Sequence, residues 1–323
     1  MNAVSAVIPT YERWDLLERL MESLGRQTRP FDRIIVVDNG STDGSAQSAR
    51  ERGAQVLELG RNAGFAAAVN RGIEAADTEY VAVLNNDVEL EPEWLERALE
   101  ELVREGGWFA VGKLLRHGAR DVIDGTFDAV SRSGCAWRCG EGRSDGPVWN
   151  EPREIAAAPL TAALFRRELF DRVGLLDERF ESYLEDVDFG IRCAAAGLKG
   201  RYVPEAVAWH RGSATFGAWG REKVRRIARN QVWIAAKHFP PRWWRLAWPA
   251  LVGQLLWGGV ALRHGAGLAY CRGKLEGLWG WRRMRRTMEP VSQGLFENGE
   301  RLIRDLQRAT GFDWYWKCYF ALT

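Results

Sequence analysis

Short apolar runs alternate with amphipathic stretches through roughly the first third of the chain, and the two periodicities separate cleanly. Ser5–Ile8 is an apolar run ended by Pro9. Trp14, Leu16, Leu17, Leu20, Met21 and Leu24 then recur at a helical period. Arg33–Val37 is β-branched and closes in the turn cluster Asp38-Asn39-Gly40-Ser41. Thr42–Arg52 reads as a helix, Ala54–Leu59 as a strand and Gly64–Ala76 as a helix. Tyr80–Leu84 is a strand running into Asn85-Asn86-Asp87, and Glu93–Arg104 is a further helix. Such βα units predict a doubly wound α/β fold, its mostly parallel sheet covered on both faces. Ligands in such sheets bind beyond the carboxyl ends of the strands, which singles out Pro9–Glu12, Asp38–Ser41 and Asn85–Asp87.

The pattern weakens over residues 112–154, rich in Gly, Arg and Asp and read as loops and short strands. Ile155–Phe165 is an apolar strand candidate and Glu168–Val173 a short helix. Leu184–Ala196 is a better helix, entered through Glu185 and Asp186, since acids suit a helix N-terminus. Arg201–Trp209 is a strand ending at His210. From Ala218 the character changes to Trp, Arg and Leu at helical spacing. The expected division is therefore a catalytic domain, 1–220, and a helical, Trp/Arg-rich appendage, 221–323.

Composition narrows the class. A chain of 323 residues, 46% hydrophobic, has material for one large core and an appendage and excludes a disordered or collagen-like polymer. The net charge of +2 conceals an asymmetry: Arg221–Arg286 holds fifteen Lys/Arg against Glu222 and Glu276, a local +13. Such a stretch points to an anionic surface. Five scattered cysteines make a poor disulfide framework and suit a reducing compartment. Cys135-x-x-x-Cys139 has no second ligand pair nearby and reads as ordinary thiols. A strand signal already at Val4 leaves no expected signal peptide. Residues 243–262 are nearly uncharged, but Arg245, Pro249, Gln254 and the glycines argue against a bilayer span. Their tryptophans and the arginines that follow suit interfacial attachment. The bland alternative is a tryptophan-rich packing layer, in the chain or in a homo-oligomer. No nucleic-acid motif is present.

Neither G-x-G-x-x-G nor G-x-x-x-x-G-K-[ST] occurs, so the usual dinucleotide and P-loop readings fail. What remains is Asn85-Asn86-Asp87, the acid cluster Glu185, Asp186 and Asp188, and His210 after a strand. Oxygen ligands suit Mg²⁺ or Mn²⁺, and an imidazole favours Mn²⁺.

On these residues the chain resembles glycosyltransferase family 2, of GT-A fold, and its bacterial rhamnosyltransferase-like branch. The matching stretches are VIPTYER (7–13), VVDNGSTDGS (36–45), NAGFAAAVNRG (62–72) and LNNDVEL (84–90). They continue with FRRELFDRVGLLDERFESYLEDVDFGIRCAAAG (165–197) and YVPEAVAWHRGSATFG (202–217). The resemblance implies a base pocket lined by Thr10, Tyr11, Glu12 and Asp38, with Asn62, Gly64 and Asn70 beside the nucleoside. Asn85-Asn86-Asp87 stands at the place of the family's D-x-D motif. Asp87 is then the metal ligand, with Asn85 beside it at the metal, Asn86 at the donor, His210 completing the shell and Asp186 the catalytic base. Asn85 brings no charge where the motif has its first acid, and Thr161 stands where relatives often have Gly.

The implied reaction is inverting transfer from a nucleotide-diphosphate sugar. The donor is dTDP-rhamnose, with a UDP-hexose as runner-up. The acceptor is a polyprenyl-diphosphate-linked saccharide at the cytoplasmic face of a membrane. Two other readings remain: a nucleotidyltransferase, disfavoured because Pro9-Thr10-Tyr11-Glu12 is no basic glycine-rich loop, and a non-catalytic carbohydrate-binding protein. Asp87 also reads as a turn cap and His210 as a buried core histidine.

Overall fold

In the computed structural model the strand–helix units form as the periodicity predicts. The structure describes residues 2–212 and 219–323; the last positions of the 202–217 stretch lie outside them. The first half runs β1 (Val4–Thr10), α1 (Trp14–Gly25), β2 (Arg33–Asp38), α2 (Ser45–Glu51), β3 (Gln55–Glu58), α3 (Phe65–Ala75) and β4 (Tyr80–Leu84). It continues through β5 (Val88–Leu90), α4 (Trp94–Glu105), β6 (Phe109–Arg116), β7 (Ala119–Gly125), β8 (Asp128–Val130) and β9 (Ala136–Arg138). Then come β10 (Arg153–Ile155), β11 (Ala162–Arg166), α5 (Glu168–Val173), α6 (Glu185–Ala195) and β12 (Gly200–His210).

The main sheet has the order β10-β12-β6-β11-β4-β1-β2-β3, with β5 added on β12 and β7 on β6. From β3 to β4 neighbours are parallel, β11 is antiparallel to β4 and β6, and β12 is again parallel to β6. After β1 the chain builds outward through β2 and β3, then returns to place β4 on β1's other side. The switch point therefore lies between β1 and β4, where such sheets open a crevice for ligands. One face buries Ile8, Leu17, Leu20, Val36, Trp94 and Leu99 in a continuous core. On the other, α3 lies so close to the sheet that a Cβ on Gly72 would fall 2.2 Å from Val7 Cγ1.

Two expectations needed correction. Ile155–Phe165 is not one strand: β10 ends at Ile155, β11 starts at Ala162, and Pro159 sits in the link between them. Ala157, Ala158, Leu160 and Thr161 in that link are buried, so hydropathy alone reads it as strand. Conversely β6 is a long central strand where the sequence loses its pattern at residue 112. Gly112 admits Ala206 O, which an added Cβ would meet at 1.7 Å, and buried Lys113 pairs with Asp145 at 2.8 Å. Both interrupt an otherwise apolar run for reasons of close packing and pairing.

The described chain divides into two compact units. One holds the sheet described above. The other holds Asp128–Cys139 with the helices α7 (Arg221–His238), α8 (Ala247–Arg263), α9 (Gly267–Arg286), α10 (Gln293–Thr310) and α11 (Trp314–Leu322). The inclusion of β8 and β9 in this unit has no sign in the sequence. Arg132 forms a fork with Glu300, at 3.0 Å through Nε and 2.6 Å through Nη2, and Tyr319 donates to the same carboxylate at 2.9 Å. Gln254 donates to Ser133 O at 3.1 Å, and Lys274 Nζ donates to both Gln254 and Gln231.

Burial pushes the Lys274 ammonium down to about 7. Between pH 7 and 10.5 the unfolded chain therefore binds a proton that the folded chain lacks, so this residue's contribution to stability rises with pH. Below pH 7 both states are protonated and the cost of the buried charge is full and constant. Relative to Lys274→Met, the wild type should gain up to about 1.4 kcal/mol per pH unit across that window. Denaturant titrations of both proteins at pH 7 and 9 check this, and parallel pH dependences would show an ammonium in contact with water.

Candidate active site

The loops that follow β1, β2, β3 and β4 are laced into one rim at the carboxyl ends of the strands. Glu12 N donates to Ser41 Oγ at 2.8 Å, and the Glu12 carboxylate accepts from Thr42 N at 3.1 Å and Thr42 Oγ1 at 3.0 Å. The Asp38 carboxylate accepts from Ser41 N at 3.1 Å. Asn39 donates to Gly64 O at 3.1 Å and Asn62 Oδ1 at 3.3 Å, and accepts from Ala63 N at 2.7 Å. Gly40 has φ 88°, and its Cβ would lie 2.7 Å from Arg61 Cα, so only glycine lets these two loops close. Across the switch point, Asn86 Nδ2 donates to Thr10 Oγ1 at 3.0 Å, tying the end of β4 to the end of β1. Glu12 and Arg13, the two residues after exposed Tyr11, both hold positive φ, a costly conformation for residues with a side chain.

Pairing of β5 with β12 places His210 opposite Val88, and so beside Asp87. His210 Nε2 lies 3.2 Å from Asp87 Oδ1, and Nδ1 lies 2.6 Å from Asp124 Oδ2 on β7. Burial works to lower the imidazole pKa, but the hydrogen bond to Asp124 and the pair with Asp87 outweigh it. The net result is a rise to about 9. Asp124 belongs to a stretch read as loops and short strands and was not singled out. Nothing local marks it, since its role depends on β7 folding back on β6.

Among the described residues no three His, Cys, Asp or Glu side chains are arranged to enclose an ion. What the structure offers is a partial shell. Among the described residues Asn85 Oδ1 and Asp87 Oδ1 are buried with no hydrogen-bond partner, Asp87 Oδ1 meeting His210 Nε2 as an ion pair. Buried oxygens without hydrogen-bond partners beside a carboxylate–imidazole pair suit a hard dication, which Asp87 and His210 would hold. Asp124 would orient the ligating ring through its second nitrogen.

Asp186 stands in the first turn of α6, where its Oδ1 accepts from Val187 N at 2.8 Å. The loop leading into it carries positive φ at Glu181, Tyr183 and Leu184, three non-glycine residues within four positions. That loop is locked to the rim: Glu181 O accepts from Ala66 N at 3.0 Å, and a Cβ on Gly64 would lie 3.1 Å from it. Asp188 is fully buried and paired with Arg192 at 3.1 Å, so it holds α6 in place; Glu185 is buried beside it.

The rim thus gathers Thr10, Tyr11, Glu12, Asp38, Asn62, Gly64 and Asn86. Asn70 departs from its expected place beside the nucleoside. It is buried, and its amide is spent on Leu176 N and O and on Glu178, each at 3.0 Å, so it fixes the chain leading to the Glu181 loop. An asparagine spaced one helical face behind Gly64 looks the same in sequence whichever way it points. Asn39, which joins the loop after β2 to the loop after β3, was legible only as part of a turn cluster. Thr161 O accepts from Asn85 N at 2.8 Å, so its backbone, not its side chain, supports the Asn85–Asp87 turn.

Comparison with known proteins identifies the family and the fold. The family model described as glycosyl transferase family 2 matches residues 5–174, and a second, glycosyl transferase family group 2, matches 142–276. The chain is 31% identical over 295 residues to the N-acetylglucosaminyl-diphospho-decaprenol L-rhamnosyltransferase of Mycobacterium tuberculosis, covering 81% of this chain and 92% of that protein. It is 30% identical over 209 residues to the O-antigen biosynthesis protein RfbC of Myxococcus xanthus, over 61% of this chain and 16% of that one. The fold matches a mannosyltransferase of Pyrobaculum calidifontis in complex with GDP-Man and Mn²⁺, with TM-score 0.54 and 19% identity over 98% of this chain and 86% of that one. It also matches GalNAc-T7 with UDP, GalNAc and Mn²⁺, with TM-score 0.65 and 16% identity over 97% of this chain, which spans 58% of that longer one. The chain is therefore a GT-A-fold member of glycosyltransferase family 2, of the rhamnosyltransferase-like kind.

Proposed function

We propose that this glycosyltransferase moves rhamnose from dTDP-rhamnose, with inversion, onto a polyprenyl-diphosphate-linked saccharide at the cytoplasmic face of a membrane. The observation that carries the reading is the pair of buried oxygens, Asn85 Oδ1 and Asp87 Oδ1, at the Asp87–His210–Asp124 chain, beside a rim at the switch point of the sheet. The name of the mycobacterial relative supports the sugar and the lipid-linked acceptor.

Tyr11, exposed next to a strained turn, stacks on the base, and Asp38 accepts from the pyrimidine N3–H. Asn62 and the backbone at Gly64 contact the nucleoside. Asp87 and His210 would hold a Mn²⁺ or Mg²⁺ ion, which when bound would supply Lewis-acid stabilisation to the departing diphosphate. Asp186 accepts the proton of the acceptor hydroxyl as its oxygen bonds to the anomeric carbon and the sugar–phosphate bond breaks. One base on the face opposite the leaving group suffices, so the anomeric carbon inverts.

A donor panel tests the reading. Nucleotide release is measured with dTDP-rhamnose, UDP-hexoses and GDP-mannose, each with Mn²⁺, Mg²⁺ or chelator, in the presence of a polyprenyl-diphosphate-linked N-acetylglucosamine. Acceptor-dependent release of dTDP that chelation abolishes is the expected result. Preference for a UDP-hexose moves the donor assignment, and release with none removes the proposal.

A further inference from the structure

We propose that the hairpin of α8 and α9 docks flat on the headgroup layer of an anionic lipid bilayer. The proposal deepens the reading of a lipid-linked acceptor, but its evidence is a separate surface. Trp244, Trp248, Leu251, Leu255 and Leu262 follow one another at steps of three, four or seven residues. They form a single stripe along the one-turn 3₁₀ helix Trp243–Leu246 and α8, and all five are exposed. On α9, Leu268, Leu275, Leu278 and Trp279 are exposed, Leu268 at 91% and Trp279 at 87%.

The reason α9 shows this face outward lies on its other side. Gly273, Gly277 and Gly280 lie against α7, where a Cβ on Gly273 would fall 2.1 Å from Arg225 O and one on Gly280 2.6 Å from the Trp233 indole nitrogen. Glycine close packing seats one face of α9 on α7 and leaves the opposite face, bearing Leu275 and Leu278, uncovered. An exposed apolar surface of this extent marks an interaction site.

Charge selects the occupant. Between Phe239 and Met288 Glu276 is the one acid, and it is taken up by Arg225 and by Arg272 at 2.9 Å. Exposed Arg242, Arg245, Arg263, Arg282 and Arg286 flank the two stripes. Tryptophan prefers the headgroup region, and each arginine near an anionic leaflet adds attraction. A second copy of the chain fits less well, because an isologous contact would bring this acid-poor surface against itself. No helix among the described residues is long and apolar enough to cross a bilayer, which matches docking on the surface.

Sedimentation of the full chain with vesicles of phosphatidylcholine, with or without phosphatidylglycerol, tests the proposal. Binding to the mixed vesicles, weakened by salt and by omission of phosphatidylglycerol, is expected. Leu255→Glu and Trp279→Glu should each lower it at least about tenfold while thermal unfolding stays unchanged, since both side chains are already in water. Arg282→Glu with Arg286→Glu should remove the preference for phosphatidylglycerol. Equal vesicle binding by the wild type and the two glutamate variants overturns the proposal. So does a wild type that ignores vesicles and is dimeric by light scattering where the variants are monomeric. Donor-nucleotide affinity measured without vesicles separates the two readings: it should be the same in all these proteins, and its absence in the wild type would count against the transferase reading alone.

Discussion

Asp186→Asn is expected to lower turnover by about 10²–10⁴-fold, the range that a positioned proton acceptor contributes. Donor affinity should stay within about twofold, because the substitution removes a proton acceptor but keeps the side chain's size. The main-chain bond from Val187 N can still be accepted by the asparagine carbonyl oxygen, so α6 keeps its start. Asp188 is the control. Its carboxylate pairs with Arg192, which in turn donates to Leu175 O at 2.7 Å, so Asp188→Asn should lower the unfolding midpoint. Single-turnover rates and calorimetric donor titrations decide the matter. An Asp186→Asn enzyme with wild-type turnover would place the base elsewhere.

The second large effect belongs to Asp87. Asp87→Ala should weaken cation-dependent donor binding by about 10–100-fold or more, since losses of that size already follow removal of groups one step behind a ligand. A readout without any substrate is also available. In the free protein His210 is held protonated by two carboxylates, and its pKa stands at about 9. Asp87→Ala leaves Asp124 as the one carboxylate beside His210 among the described residues, so the imidazole should release its proton at a lower pH than in the wild type. Titration of the ring protons by NMR measures this. A His210 pKa and a donor affinity both unchanged would remove Asp87 from the site.

Much of the sheet was legible because both of its periods are local. Strands β1, β2 and β4 are short apolar runs ended by turn residues, and α1 and α4 each show one apolar face. The strand ends then indicated where Thr10, Asp38 and Asp87 would sit. Legibility failed where burial and secondary structure part company. The link at 156–161 is buried yet not strand, and β6 is strand yet broken by Gly112 and Lys113. It failed again for Asn70, whose helix position was clear but whose amide turned toward Leu176.

From the sequence alone follow the βα order, the polar residues at the strand ends, the acids at the start of α6 and the basic, aromatic C-terminal stretch. Each is a property of neighbours in the chain, where hydrophobic period and turn chemistry act over a few residues. The tertiary structure alone decided that β5 adds to β12 and so sets Asp87 beside His210. It alone supplied Asp124 from β7, and Glu181 as the clasp on Gly64. Those partners lie far apart in sequence, and strand pairing and close backbone packing, which leave no local signature, are what bring them within bonding distance.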